Sequence, residues 1–170
     1  MAATKESDAA SGKNHTTVER ESERELVVTR TFNAPARIVF KAWTTPELIM
    51  RWWAPKSFGI AFLSCETDVR TGGSYRFVFG HAASEQPMAF FGRYIEVTPP
   101  SRLVWTNDEE HGAVTTVTFE ERDGKTRVVV HDLYPSKEAL DGAIASESTG
   151  GWPEQFEQLD DLLTTLGASV

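Results

Sequence analysis

Two rhythms of apolar and polar residues divide this chain. From residue 25 to residue 134 they alternate in short runs broken by Gly, Pro and Asn, the mark of strands with one buried face. From 150 to 167 the apolar residues Trp152, Phe156, Leu159, Leu163 and Leu166 recur at helical spacing. Glu154, Glu157, Asp160 and Asp161 fall largely elsewhere on the wheel, on a face expected to meet solvent. Pro153 suits the first helical turn, where its missing N–H costs nothing, and Gly167 suits the end. A helix with two aromatics at its start needs a large apolar partner, and the strands before it are the partner available.

The strand signals come in series. Residues 25–33 predict a first strand. Pro35 then opens a short helix over 36–43, and Pro46 a second over 47–53 that stops before Pro55. Further strands are predicted over 60–69, 73–79, 88–98, 102–106, 113–121 and 125–134. Tyr75, Phe77 and Phe79 share one strand face, with Arg76 and Val78 on the other. Gly92 interrupts the longest strand and predicts a bulge or tight bend. Arg122-Asp123-Gly124 is a hairpin turn signal. Residues 107–112 read as a polar loop, and 136–146 as a weak helix or loop. Residues 1–24 hold little to bury, so a disordered tail is expected there and one folded domain over 25–170. Clustered strands followed by a helix mean an α+β fold. The expected form is a curved antiparallel sheet of about six or seven strands around a long C-terminal helix, with two short helices after the first strand.

At 170 residues, with 40% hydrophobic and 11% aromatic content, the chain can bury a full core. A net charge of -8 argues against a nucleic-acid partner, which wants a basic surface. Past Tyr134, Lys137 stands against Glu138, Asp141, Glu147, Glu154, Glu157, Asp160 and Asp161. That acidity reads as a solvated helix face before it reads as a dock for a basic partner. Cys65 is the only cysteine, so no internal disulfide forms and a reducing, cytoplasmic setting is expected. No apolar run approaches membrane-spanning length, and the first residues lack the apolar core of a secretory signal, so no membrane partner is expected.

Four segments carry a family resemblance. They are Trp43-Thr44-Thr45-Pro46-Glu47 with Trp52-Trp53-Ala54-Pro55, then Asp68-Val69-Arg70-Thr71-Gly72-Gly73-Ser74-Tyr75-Arg76-Phe77, then Gly92-Arg93-Tyr94-Ile95-Glu96-Val97 with Pro100-Ser101-Arg102-Leu103-Val104-Trp105-Thr106, and Gly151-Trp152. In this order, over roughly 25–166, they resemble proteins similar to the C-terminal domain of the activator of the heat-shock protein 90 ATPase. The resemblance implies the helix-grip fold of the START superfamily, which includes lipid-transfer proteins, polyketide cyclases and birch-pollen allergens. It also implies a cavity for apolar ligands between sheet and last helix, while some members are cyclases, dehydratases or hydroxylase subunits.

Residues that carry chemistry are few. His15, His81, His111 and His131 show no metal-ligand spacing, and with one cysteine neither a metal site nor a cofactor is expected. Cys65 in a strand reads as a small core residue, and Gly72-Gly73 before a strand reads as a turn. His131 shares a strand face with Arg127, Val129 and Leu133, opposite Val128, Val130 and Asp132. If its face is concave it meets a ligand or moves a proton; otherwise it is a satisfied core or rim histidine. Arg76, Arg93 and Glu96 pose the same choice. The aromatics are the larger signal, because so many large rings are hard to close around one helix. The expected ligand site is lined by Trp53, Phe62, Tyr75, Phe77, Phe79, Phe91, Trp105, Phe119, Trp152 and Phe156, with Arg93 and His131 as polar groups. The expected function is binding of an apolar or aromatic small molecule by a monomer or homodimer. Two alternatives stand beside it. One is a cyclase- or dehydratase-like enzyme pairing His131 with Glu66, Glu96 or Asp68. The other is a co-chaperone docking on the heat-shock ATPase, which has less behind it because the family's eukaryotic activators carry a second domain.

Overall fold

The computed structural model describes residues 16–54, 56–81, 84–108, 112–145 and 152–168. The expected tail up to His15, the middle of the 107–112 loop and the Gly150-Gly151 start of the last helix lie outside the described residues. The strands are β1 (Thr17–Arg20), β2 (Glu25–Phe32), β3 (Ile60–Thr67), β4 (Ser74–His81), β5 (Ser84–Thr98), β6 (Arg102–Thr106), β7 (Val114–Arg122) and β8 (Lys125–Leu133). They form one antiparallel sheet in the order β1-β2-β8-β7-β6-β5-β4-β3. Helices α1 (Ala36–Thr44) and α2 (Pro46–Trp52) follow β2, and α3 (Lys137–Ala145) and α4 (Trp152–Ala168) follow β8. This is the expected α+β helix-grip arrangement, with eight strands in place of six or seven.

The added strand corrects the reading of the tail. β1 lies within the segment expected to be disordered, and pairs with β2 from Thr17↔Thr29 to Arg20↔Leu26. It is mostly exposed, so apolar content gave no sign of it. Backbone hydrogen bonds to an open sheet edge hold it instead. Arg20 adds an ion pair at 2.7 Å to Asp141 of α3. That helix settles the ambiguous 136–146 segment. Leu140 and Ala143 pack with Leu26, Ala113 and Tyr134, and the Ser136 hydroxyl accepts the Ala139 N–H at 3.1 Å.

The turn signals hold. Asp123 and Gly124 take φ of 57° and 78° and close β7 onto β8 with Arg122 opposite Lys125. A side chain at Gly92 would lie 2.0 Å from the Thr106 carbonyl, and the β5–β6 ladder shifts between Tyr94 and Glu96. The ladder irregularity thus falls beyond Gly92, which itself pairs in register with Tyr75; glycine is needed there because the Thr106 carbonyl approaches so closely.

α4 buries Phe156, Leu159, Leu162 and Leu163 and packs on α1, α2 and β2. Its polar residues do more than meet solvent, which corrects the expected outer face. Gln158 Nε2 donates to the Trp52 and Ala54 carbonyls at 2.9 and 3.0 Å, and its Oε1 accepts the Lys56 N–H at 2.9 Å. Those carbonyls lie at the end of α2, where a helix leaves acceptors unused. Arg30 of β2 is 2% exposed and donates to Glu157 and Asp160, each at 2.9 Å. A buried guanidinium without such partners is costly.

Phe156→Ala is expected to destabilise the domain by about 3–5 kcal/mol in urea unfolding, the range for emptying a buried aromatic site. Glu157→Ala leaves Asp160 on Arg30 and should cost about 1 kcal/mol or less. Removing both carboxylates strands the buried guanidinium and should cost about 3–5 kcal/mol. Two small, additive effects would refute the clamp.

Candidate functional site

The site begins at the elbow between two short helices. α1 buries Ile38, Val39, Phe40, Ala42 and Trp43, and α2 buries Ile49 and Trp52. The Thr45 carbonyl accepts the Leu48 and Ile49 N–H groups at 2.9 Å, and Pro46 starts α2 at once. The chain therefore doubles back and sets three indoles together. Ring centroids are 4.9 Å apart for Trp43–Trp52, 5.2 Å for Trp52–Trp53 and 5.9 Å for Trp43–Trp53, all edge-to-face. Trp52 Nε1 donates to the Ala42 carbonyl at 2.9 Å. These rings occupy much of the gap expected between the sheet and α4. Behind them Trp152 packs on Trp53 at 6.2 Å, and Phe156 on Trp43 at 6.2 Å.

Open space remains on the other side of the elbow. A cavity of about 50 Å³, partly open to solvent, lies between Trp43, Ile49 and Trp53 and the sheet residues Tyr75, Phe77, Phe90, Tyr94 and Trp105, with Asn107 at one end. Strand register builds the sheet wall. Tyr75 and Phe77 of β4 stand opposite Gly92 and Phe90 of β5, and Tyr94 follows two residues on.

A chain of hydrogen bonds, part-buried at Tyr75 and Asn107 and fully buried at Asp132, builds the polar end. Tyr75 Oη donates to the Thr106 carbonyl at 2.7 Å and lies 3.4 Å from Asn107 Oδ1. Asn107 Nδ2 donates to the Ala113 carbonyl and to Thr115 Oγ1, both at 2.9 Å. Thr115 donates in turn to Asp132 Oδ1 at 2.6 Å. A carbonyl only accepts, so the amide nitrogen has to face Ala113 and the amide oxygen faces Tyr75. Burial pushes the Asp132 carboxyl up to about 6, against the opposing pull of the Thr115 bond and of His131. Burial likewise raises the Tyr94 phenol above its ordinary range. It pushes the Cys65 thiol up to about 12, aided by Glu47 and Glu66, so this cysteine stays the neutral small residue expected. The buried Trp43 indole N–H has no acceptor among the described residues, which costs about 1–3 kcal/mol.

Trp53, Tyr75, Phe77 and Trp105, expected at the site, do line the cavity. Phe62 and Phe79 lie tilted against each other at 4.5 Å, with Phe62 also on Phe77 at 5.4 Å, and neither is among the described lining residues. Phe119, Trp152 and Phe156 belong to the core, Phe119 lying against Phe40 and Trp43. Phe91, Arg93 and His131 are corrections. Phe91 and Arg93 alternate with the inward Phe90, Gly92 and Tyr94, and both are exposed. His131 lies on the face opposite the buried Val130 and Asp132, and its Nε2 sits 2.9 Å from a Glu25 carboxylate oxygen. That bond holds Glu25 below the usual carboxylate range, so His131 is the satisfied rim residue of the two readings. Trp43, Ile49, Phe90, Tyr94 and Asn107 line the cavity without having been selected from the sequence. Gly92 was the available signal for Phe90 and Tyr94, which share its face; Asn107 gave none. Among the described residues no group of three His, Cys, Asp or Glu is placed to hold a metal ion. No described helix is long and apolar enough to cross a membrane.

Known proteins match this architecture. The family described as Activator of Hsp90 ATPase homolog 1-like protein matches residues 33–164. A solved protein from Rhodobacter sphaeroides superposes with a TM-score of 0.81 at 24% identity, over 89% of this chain and 99% of that one. One from Nitrosomonas europaea gives 0.79 at 22% identity, over 88% and 99%. An AHSA1-like protein from Aeromonas hydrophila gives 0.67 at 20% identity, over 83% and 94%. At such identities the likeness shows the fold. No curated protein matches the chain.

Asp132 predicts a pH signature. Its carboxyl titrates near 6 when folded and near its ordinary 3.8 when unfolded. Between these values the folded state keeps a proton the unfolded state has lost, so stability falls as pH rises through the window, and the full cost persists above it. Asp132→Asn removes the titration and still accepts from Thr115. Its stability relative to the parent should rise by about 2–3 kcal/mol between about pH 4 and about pH 7, read from urea midpoints. A flat difference would show that Asp132 ionises normally.

Proposed function

We propose that this chain, which belongs to the Activator of Hsp90 ATPase homolog 1-like family, binds small aromatic or apolar molecules in the cavity beside the tryptophan elbow. The lining carries this reading: every described residue of it except Ile49 and Asn107 is aromatic. Protein interiors normally close such surfaces to crystal-like density, and an apolar recess with a polar group at one end is the usual form of a small-molecule site. The START-like resemblance of the sequence supports the same reading. The volume sets the scale of the ligand. About 50 Å³ is less than the ~150 Å³ apolar cavity that holds benzene, so the ligand is a single ring or smaller, and the walls give way to admit it. Burying about 200 Å² of ring contributes about 5 kcal/mol before the costs of association and of parting the walls, so the Kd is no tighter than about 0.1 mM.

Binding is favoured over catalysis, because no histidine or carboxylate is among the described residues lining the cavity and His131 faces the opposite side of the sheet. Docking on a heat-shock ATPase rests on the family's description alone. A lone cysteine suits the reducing cytoplasm, where we place the protein.

Titrating a single-ring probe such as toluene should shift tryptophan emission, since Trp43, Trp53 and Trp105 line the cavity, and should raise Tm. Phe90→Trp fills the space and is expected to weaken the response about tenfold or more. If no single-ring probe shifts emission or Tm, surface docking becomes the better account.

A further inference from the structure

We infer that Asn107 makes the cavity selective for neutral rings bearing a hydrogen-bond donor, such as phenols and N–H azoles, and that Thr115 and Asp132 hold it in that role. The inference rests on the reading that the cavity takes a small ring. Its first support is that the described residues of the lining carry no charged side chain. Arg93 and His131, the polar groups expected at the site, lie on the outer face. A carboxylate or ammonium entering among these rings is desolvated without a partner.

The second support is the fixed orientation of the Asn107 amide. Both of its N–H groups are committed, to the Ala113 carbonyl and to Thr115 Oγ1. Thr115 has one hydroxyl hydrogen, and the 2.6 Å bond to Asp132 uses it. Its oxygen is therefore an acceptor toward Asn107, and a flipped amide would set oxygen against oxygen at Ala113. Asn107 Oδ1 is thus presented as an acceptor. Tyr75 Oη is 3.4 Å from it but gives its hydrogen to Thr106 at 2.7 Å. A ring without a donor covers this oxygen and returns nothing for the lost water; a ring with a donor replaces the bond.

Phenol, anisole, toluene and benzoate separate shape from hydrogen bonding and charge. Calorimetric titration of the parent should rank phenol about tenfold tighter than toluene or anisole, the worth of one good hydrogen bond, with benzoate weakest. In Asn107→Leu, the phenol-to-toluene affinity ratio should fall to about one. In Thr115→Val, which removes the hydroxyl at similar volume, the phenol preference should drop about threefold with toluene unchanged. A merely structural Thr115 would weaken all probes alike and refute its positioning role. If toluene and phenol bind the parent equally, the cavity reading stands and this inference is wrong. Benzoate binding tighter than phenol also overturns it. If no probe binds, both readings fail together. Should Asn107→Leu not fold, the parent series and Thr115→Val still decide.

Discussion

The ring of Trp43 meets those of Trp52, Trp53, Trp105, Phe119 and Phe156 at centroid separations from 4.9 to 6.2 Å. One side chain thereby ties α1 to α2, β6, β7 and α4. It stands there because Thr45 and Pro46 end one helix and begin the next without a spacer. The constraint behind this arrangement is one of volume. α4 packs toward α1, α2 and β2, and leaves the face of β4, β5 and β6 for other groups to cover. Indoles from the elbow reach across, and edge-to-face contacts let them pack without lying flat. Where they fall short of the sheet, the cavity remains.

Polar groups secure the same assembly. Arg30 reaches from the sheet to two carboxylates of α4, and Gln158 closes the end of α2. Neither adds much apolar burial. Each specifies where the helix sits along its neighbours, since sliding α4 by one turn would leave a buried charge or orphaned carbonyls without partners. The Tyr75–Asn107–Thr115–Asp132 network does the same for the loop after β6. Asp132 is the cost: a carboxyl buried deeply enough to titrate near neutrality.

Family and fold on one side, and ligand on the other, stand on different ground. The match over residues 33–164 and the solved structures agree on the helix grip. A helix grip serves carriers, enzymes and docking modules alike, so chemistry has to be read from the site. The described lining of the cavity is aromatic apart from Ile49 and one oriented amide, and our proposal of a small neutral ring as ligand rests on that.

Local pattern by itself determined the strand series, the two short helices, the Asp123-Gly124 turn, the long last helix and the family. Periodicity, Pro and Gly act over a few residues, so they are visible in the chain without its partners. The Trp43 to Trp53 segment was legible as a motif, but its placement between sheet and helix was not. Tertiary structure alone decided four further matters. β1 exists because β2 offers a free edge, which exposed residues such as Glu19 do not announce. Phe91, Arg93 and His131 point outward because strand register assigns faces, and a shift of one residue exchanges them. Glu157 and Asp160 bind a buried cation because β2 and α4, far apart in sequence, are packed together. Asn107 became a site residue through Ala113 and Thr115 across a loop; its orientation is a property of those contacts, and no spacing in the sequence encodes it.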